Sequence, residues 1–91
     1  MHKVIWRQQA ENDLIKIIEY IWQDSPERAV TFAQEIQART GRLWEQPELY
    51  RVGRMRGTRE MVAHPNYIVI YRIQDDTVEI LRVKNTAQQW P

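Results

Sequence analysis

Arg51, Arg54, Arg56 and Arg59 fall within nine residues, and nearby only Glu48 and Glu60 oppose them. Such a stripe suits planar recognition of carboxylate or phosphate, the task at which the rigid guanidinium fork exceeds lysine. Farther on, Arg72, Arg82 and Lys84, with Tyr67 and Tyr71, are the side chains able to grip a phosphate or polarise a hydroxyl. His2 and His64 have no carboxylate or second histidine at metal-ligand spacing, and cysteine is absent, so no metal or cofactor is expected. Gly41, Gly53 and Gly57 form no phosphate-binding fingerprint.

These residues sit in a chain of 91, enough for one modest core, so residues 1–91 are read as a single domain. With 43% apolar residues, three glycines and four prolines, the composition is that of a folded chain. A net charge of +1 argues against a broadly basic nucleic-acid binder and leaves the arginine stripe as a local feature. The N-terminus has only a three-residue apolar run, and no stretch approaches a membrane span, so a soluble, cytoplasmic protein is expected.

Periodicity supplies the elements. His2 to Arg7 reads as a short strand. Leu14, Ile17, Ile18, Ile21 and Trp22 form one helical stripe between Ala10 and Trp22. Ser25-Pro26-Glu27 is a restart signal, with an N-cap, a first-turn proline and an acidic residue for the helix dipole. The second helix carries Ala29, Ala33, Ile36, Thr40, Leu43 and Trp44 on one stripe and runs to Pro47. The short connection predicts an antiparallel hairpin. After the basic connection 47–57 come three β-rich runs, Thr58 to Ala63, Tyr67 to Ile73 and Thr77 to Lys84, read as an antiparallel meander. The expected fold is α+β, β-α-α-β-β-β, with the helical hairpin packed on an antiparallel sheet. The four tryptophans, Trp6, Trp22, Trp44 and Trp90, are read as core and cap residues.

A two-residue turn at Asp75-Asp76 would pair Ile73 with Val78, Arg72 with Glu79, Tyr71 with Ile80, Ile70 with Leu81, Val69 with Arg82 and Ile68 with Val83. One face would then hold Tyr67, Val69, Tyr71, Ile73, Val78, Ile80 and Arg82. The other would hold Ile68, Ile70, Leu81 and Val83 around an Arg72–Glu79 pair. One helical hairpin covers one face, so the second is expected to remain partly open as an aliphatic docking patch, unless the C-terminal tail from Ala87 to Pro91 covers it.

The segments GTREMV, YIVIYRI and VEILRVKNTAQQWP resemble the C-terminal motif of ParE/RelE-superfamily toxins, closest to the ParE-like branch, and Ala10, Asp13-Leu14 and Ile17 extend the resemblance into the first helix. The resemblance implies the toxin half of a type II toxin–antitoxin pair, linked to plasmid stabilisation and growth inhibition. It implies a cognate antitoxin as partner, and one of two targets: DNA gyrase for ParE-like members, or the ribosome and its mRNA for RelE-like endoribonucleases. A homodimer stays open.

On the nuclease alternative, Arg59 falls close to a basic position that the resemblance implies, and Arg72, Arg82 and Lys84 are the further candidates for a catalytic set. The resemblance also implies a second cation where Met61 stands, an arginine where Ile68 stands, and in many relatives a histidine beside Asn85. Asn85 cannot exchange a proton near neutral pH, and arginine is a poor acid–base catalyst. The expected protein is therefore a non-enzymatic binder that inhibits gyrase, the alternatives being the ribosome-dependent endoribonuclease or an inactive member that only binds its antitoxin. Its contact surface to antitoxin or target is expected to use Arg51, Arg54, Arg56, Arg59, Ile68, Ile70, Leu81, Val83 and Trp90.

Overall fold

A computed structural model of the chain describes residues 3–88. The elements follow in the order β1 (Lys3–Trp6), α1 (Gln8–Asp24), α2 (Pro26–Gly41), β2 (Arg51–Val52), β3 (Arg59–His64), β4 (Tyr67–Gln74) and β5 (Thr77–Asn85). They form an α+β domain in which the two helices lie against a five-stranded mixed sheet of order β1-β5-β4-β3-β2. The meander is antiparallel as anticipated. Two features go beyond it: β1 runs parallel to β5, with Val4 opposite Val78, and the basic connection contributes the short edge strand β2.

Ser25 both ends α1 and starts α2. Its backbone N–H donates to the Ile21 carbonyl at 2.8 Å, and its hydroxyl oxygen accepts from the Arg28 N–H at 3.3 Å. Pro26 fills the first helical position, where an N–H would have no partner anyway. The second helix stops at Gly41 rather than reaching Pro47. The Thr40 hydroxyl donates back to the Ile36 carbonyl at 2.7 Å, and tight turns of Arg42 onto Arg39 and Leu43 onto Thr40 take up the last carbonyls. Leu43 consequently turns inward and Trp44 outward.

The core lies between the hairpin and one sheet face. Ala10, Phe32, Ile36 and Leu43 meet Met61, Tyr67, Val69, Tyr71, Val78, Ile80 and Val83, with Leu14, Ile17, Ile18 and Ile21 packed alongside. Trp22 and Trp44 do not join it, being 52% and 41% exposed. In α1 the core-facing position belongs to Ile21, so the next side chain, Trp22, points about 100° round the helix. Trp6 packs at the core margin, and Trp90 lies outside the described residues.

The β4–β5 hairpin keeps the anticipated register only near its turn, where Asp75 takes a left-handed φ of 55°. Beyond Tyr71–Ile80 a bulge places Arg82, not Leu81, opposite Ile70, and then pairs Val69 with Val83 and Ile68 with Lys84. One extra residue flips the alternation of everything after it. Val83 therefore joins the helix-side core instead of the second face. Nor is that second face an open aliphatic patch. Ile68 and Ile70 are both buried, each sitting mid-sheet on β4 between β3 and β5, opposite Val62 and Lys84 in one row and Glu60 and Arg82 in the other.

Ile36 is fully withdrawn from water at the centre of this packing. Ile36→Ala should lower the unfolding free energy by about 2–5 kcal/mol, read as a fall in urea midpoint with an unchanged slope.

Candidate functional site

Two glutamates on the second sheet face are almost wholly buried, and each is held by two arginines. Glu60, on β3, receives Arg51 Nη2 on Oε1 at 3.0 Å. On Oε2 it receives the Arg54 backbone N–H at 3.0 Å, with the Arg54 guanidinium at 3.7 Å. Glu79, on β5, accepts from Arg72 Nε at 2.8 Å and Arg7 Nη1 at 3.3 Å. The Arg72 hydrogen bond holds the Glu79 carboxyl below the usual carboxylate range; burial opposes it, and the charges of Arg72 and Arg7 assist. The Arg72–Glu79 pair follows from the hairpin register, whereas Arg7, 72 positions away, has no signal in the local sequence.

Arg82 is engaged from the helical side. Its Nε and Nη2 donate to the two carboxylate oxygens of Asp13 on α1, at 2.8 and 3.0 Å, and the Val83 N–H adds a third bond at 3.0 Å. Burial alone would raise the pKa of Asp13, but these bonds, with the charges of Arg82 and Lys84, bring it below the ordinary value. The bond to Asp13 raises that of Arg82. This fork-on-carboxylate pairing ties α1 to the sheet just past the bulge.

Arg59 projects towards the helix side, in the row of Tyr71 and Val52. Its Nη1 donates to the carbonyls of Tyr50 at 2.7 Å and Glu48 at 3.3 Å, while the Tyr71 hydroxyl donates to the carbonyl of Pro47. Together they fasten the connection between α2 and β2 to the sheet. Burial, partly offset by the Arg59 charge, pushes the Tyr71 phenol up to about 12.

Of the nine residues expected to form one contact surface, Trp90 lies outside the described residues and the other eight are divided. Arg51 and Arg54 lie at the β2 edge on Glu60, and Arg56 is exposed in the β2–β3 connection. Arg59 serves the opposite side of the sheet, Ile68, Ile70 and Val83 are buried, and Leu81 is half-buried. Of the proposed catalytic set, Arg59, Arg72 and Arg82 are committed to acceptors in their own chain. Lys84 lines a shallow depression of about 340 Å³ with Asp13, Tyr67 and Asn85. Tyr67 and Tyr71 are core residues, as their alternation implied. His64 accepts the Asn66 N–H on Nδ1 at 3.3 Å and sets its ring edge-on to Phe32, a partner the helical stripe had not included.

Residues 4–90 match the family model described as the ParE toxin of the type II toxin–antitoxin system parDE. The chain belongs to that family. It is 40% identical over 90 residues to a Sinorhizobium fredii protein named as toxin Y4kP, covering 98% of this chain and 93% of that one. It is 34% identical over 88 residues to toxin RelE2 of Caulobacter vibrioides, covering 97% and 99%. Among solved structures, a chain of the chromosomal ParDE system of P. aeruginosa superposes with a TM-score of 0.84 at 22% identity, over 93% of this chain and 96% of that one. A chain of the Mycobacterium tuberculosis RelBE2 toxin–antitoxin complex gives 0.64 at 28% identity, over 92% and 96%. The protein is a type II toxin of the ParE/RelE superfamily, with the fold that assignment implied.

The depressed Asp13 and Glu79 carboxyls fix the sign of the acid response. A carboxyl whose pKa is lower folded than unfolded contributes stability that is present above the unfolded value, about 4, and lost as pH falls through the folded one. The urea midpoint of the toxin should therefore drop on acidification below about pH 4. Asp13→Asn should be less stable at neutral pH and show a shallower acid limb; an unaltered limb would remove the clasp from the account.

Proposed function

We propose that this toxin arrests growth by binding and inhibiting DNA gyrase, without catalysing a reaction, and that a cognate antitoxin neutralises it. The observation that carries this reading is the internal commitment of Arg59, Arg72 and Arg82. Cleavage of mRNA needs cations free to stabilise a crowded phosphorane and a group to move a proton. Here the guanidiniums hold loop carbonyls, a sheet carboxylate and a helix carboxylate. Met61 and Ile68, standing where the nuclease pattern has cations, are buried aliphatic positions. Membership of the ParE family points the same way.

The antitoxin reading draws on relatives whose solved structures are toxin–antitoxin complexes. Arg56, and the outer sides of Arg51 and Arg54, which stay exposed while they hold Glu60, suit a flexible acidic segment. No described helix is long and apolar enough to cross a membrane, and action in the cytoplasm, where gyrase and ribosomes reside, fits the reading.

Purified toxin should block gyrase supercoiling, while messages sampled after brief induction stay intact. Codon-phased cuts with untouched gyrase would instead establish the endoribonuclease that the name of the Caulobacter relative suggests. In that event Lys84→Gln with Arg72→Gln should reduce cleavage by about a hundredfold or more; on the binding reading the pair leaves arrest in place.

Replacing Arg56 by glutamate, with Arg51 and Arg54 kept because they hold the buried Glu60, should slow association with the antitoxin and flatten its salt dependence. Unchanged kinetics would return Arg56 to the role of a solvated edge.

A further inference from the structure

The segment that Arg59 and Tyr71 fasten down presents a surface that their own bonds do not use. Leu49 is 68% exposed and Val52 74%, the highest values among the large aliphatic side chains described. Both belong to the stretch whose backbone is held at Pro47, Glu48 and Tyr50. Leu49 and Tyr50 line a groove of about 640 Å³ together with Ala38 and Arg39 from the last turns of α2 and with Arg42, Glu45 and Gln46 just after it. Val52 continues the apolar surface along the sheet edge on the helix side, as its row with Arg59 and the buried Tyr71 requires.

We propose that this groove is the surface with which the toxin engages the enzyme it inhibits, and that the site it fits is a folded protein protrusion bearing an apolar side chain flanked by carboxylates. The proposal rests on the reading of the protein as an inhibitory binder. Three observations favour that occupant. Arg39 beside Leu49 and Tyr50 gives the combination of guanidinium, aromatic and aliphatic groups that concentrates binding energy, and with Arg42 already answered by Glu45 at 3.1 Å the groove keeps a net positive charge that asks for acid opposite Arg39. The tethers make the groove rigid before contact, so a preformed partner surface is met without the cost of ordering the loop.

The third is geometric. The β2 edge divides its side chains, with Arg51 in the row of Glu60 and Ile70 on the second face and Val52 in the row of Arg59 on the first. A flexible acidic segment laid along Arg51 and Arg54 therefore leaves the groove clear. Antitoxin and target would meet different sides of the same edge.

The test compares wild type with Leu49→Asn and Arg39→Glu, both exposed positions, each purified from its antitoxin complex. Growth arrest on induction, gyrase inhibition and antitoxin affinity are measured together. Arrest potency should fall about thirtyfold or more, as for loss of an anchor residue, while antitoxin affinity stays unchanged. Full arrest by both variants would overturn the proposal, as would antitoxin affinity falling in parallel with arrest, which would make the groove an antitoxin site. If wild type arrests growth without touching gyrase and the variants still lose arrest alone, the docking surface stands and the gyrase assignment falls. Should Leu49→Asn melt early, Val52→Asn tests the same surface from the neighbouring strand.

Discussion

A carboxylate withdrawn from water must be met by positive charge and hydrogen bonds, or it destabilises whatever buries it. Glu60 and Glu79 impose that requirement on the second face of this sheet, and most of the functional reading descends from it. Arg51, Arg54, Arg7 and Arg72 are drawn in to satisfy them. That face is laced by ion pairs, with two isoleucines sealed between them.

The helical side obeys a second requirement. A hairpin of two helices has to be held at a fixed angle over a sheet whose inner surface is mostly aliphatic and therefore undirected. Direction comes from polar links at its margins: Asp13 to Arg82 and the Val83 amide on one flank, Arg59 and Tyr71 to the carbonyls of the 47–50 backbone on the other. The bulge near Leu81 matters here, since Val83 enters the core beside the clasp only because the alternation has been reset.

Element order, the hairpin junction at Ser25, the three meander strands and the helix-facing tyrosines were legible in the sequence because each rests on local periodicity or local capping chemistry. The bulge was not, since nothing in VEILRVK marks which residue is skipped. Every side-chain assignment beyond it shifted with it, turning Val83 from a presumed surface residue into core. Phe32 and the exposed Trp22 and Trp44 show the limit of counting apolar residues on a wheel: the stripe's width is set by what it packs against. Of the arginine stripe, type and spacing were visible, but the division between the two sides of one edge, and the capture of Arg59 by backbone carbonyls, needed the fold. The groove beside Leu49 left no periodic trace, because an irregular segment has none.

The pairing of β1 with β5 bears on how the molecule comes into being. Its first described strand has no neighbour until the last one is in place: Lys3 lies opposite Thr77 and Trp6 opposite Ile80. Nearly the whole chain must be closed into a loop before that contact is made, which slows folding and leaves β1 and one flank of α1 uncovered while synthesis proceeds. A harmful protein built in this order has no finished sheet to act with until its final strand has emerged.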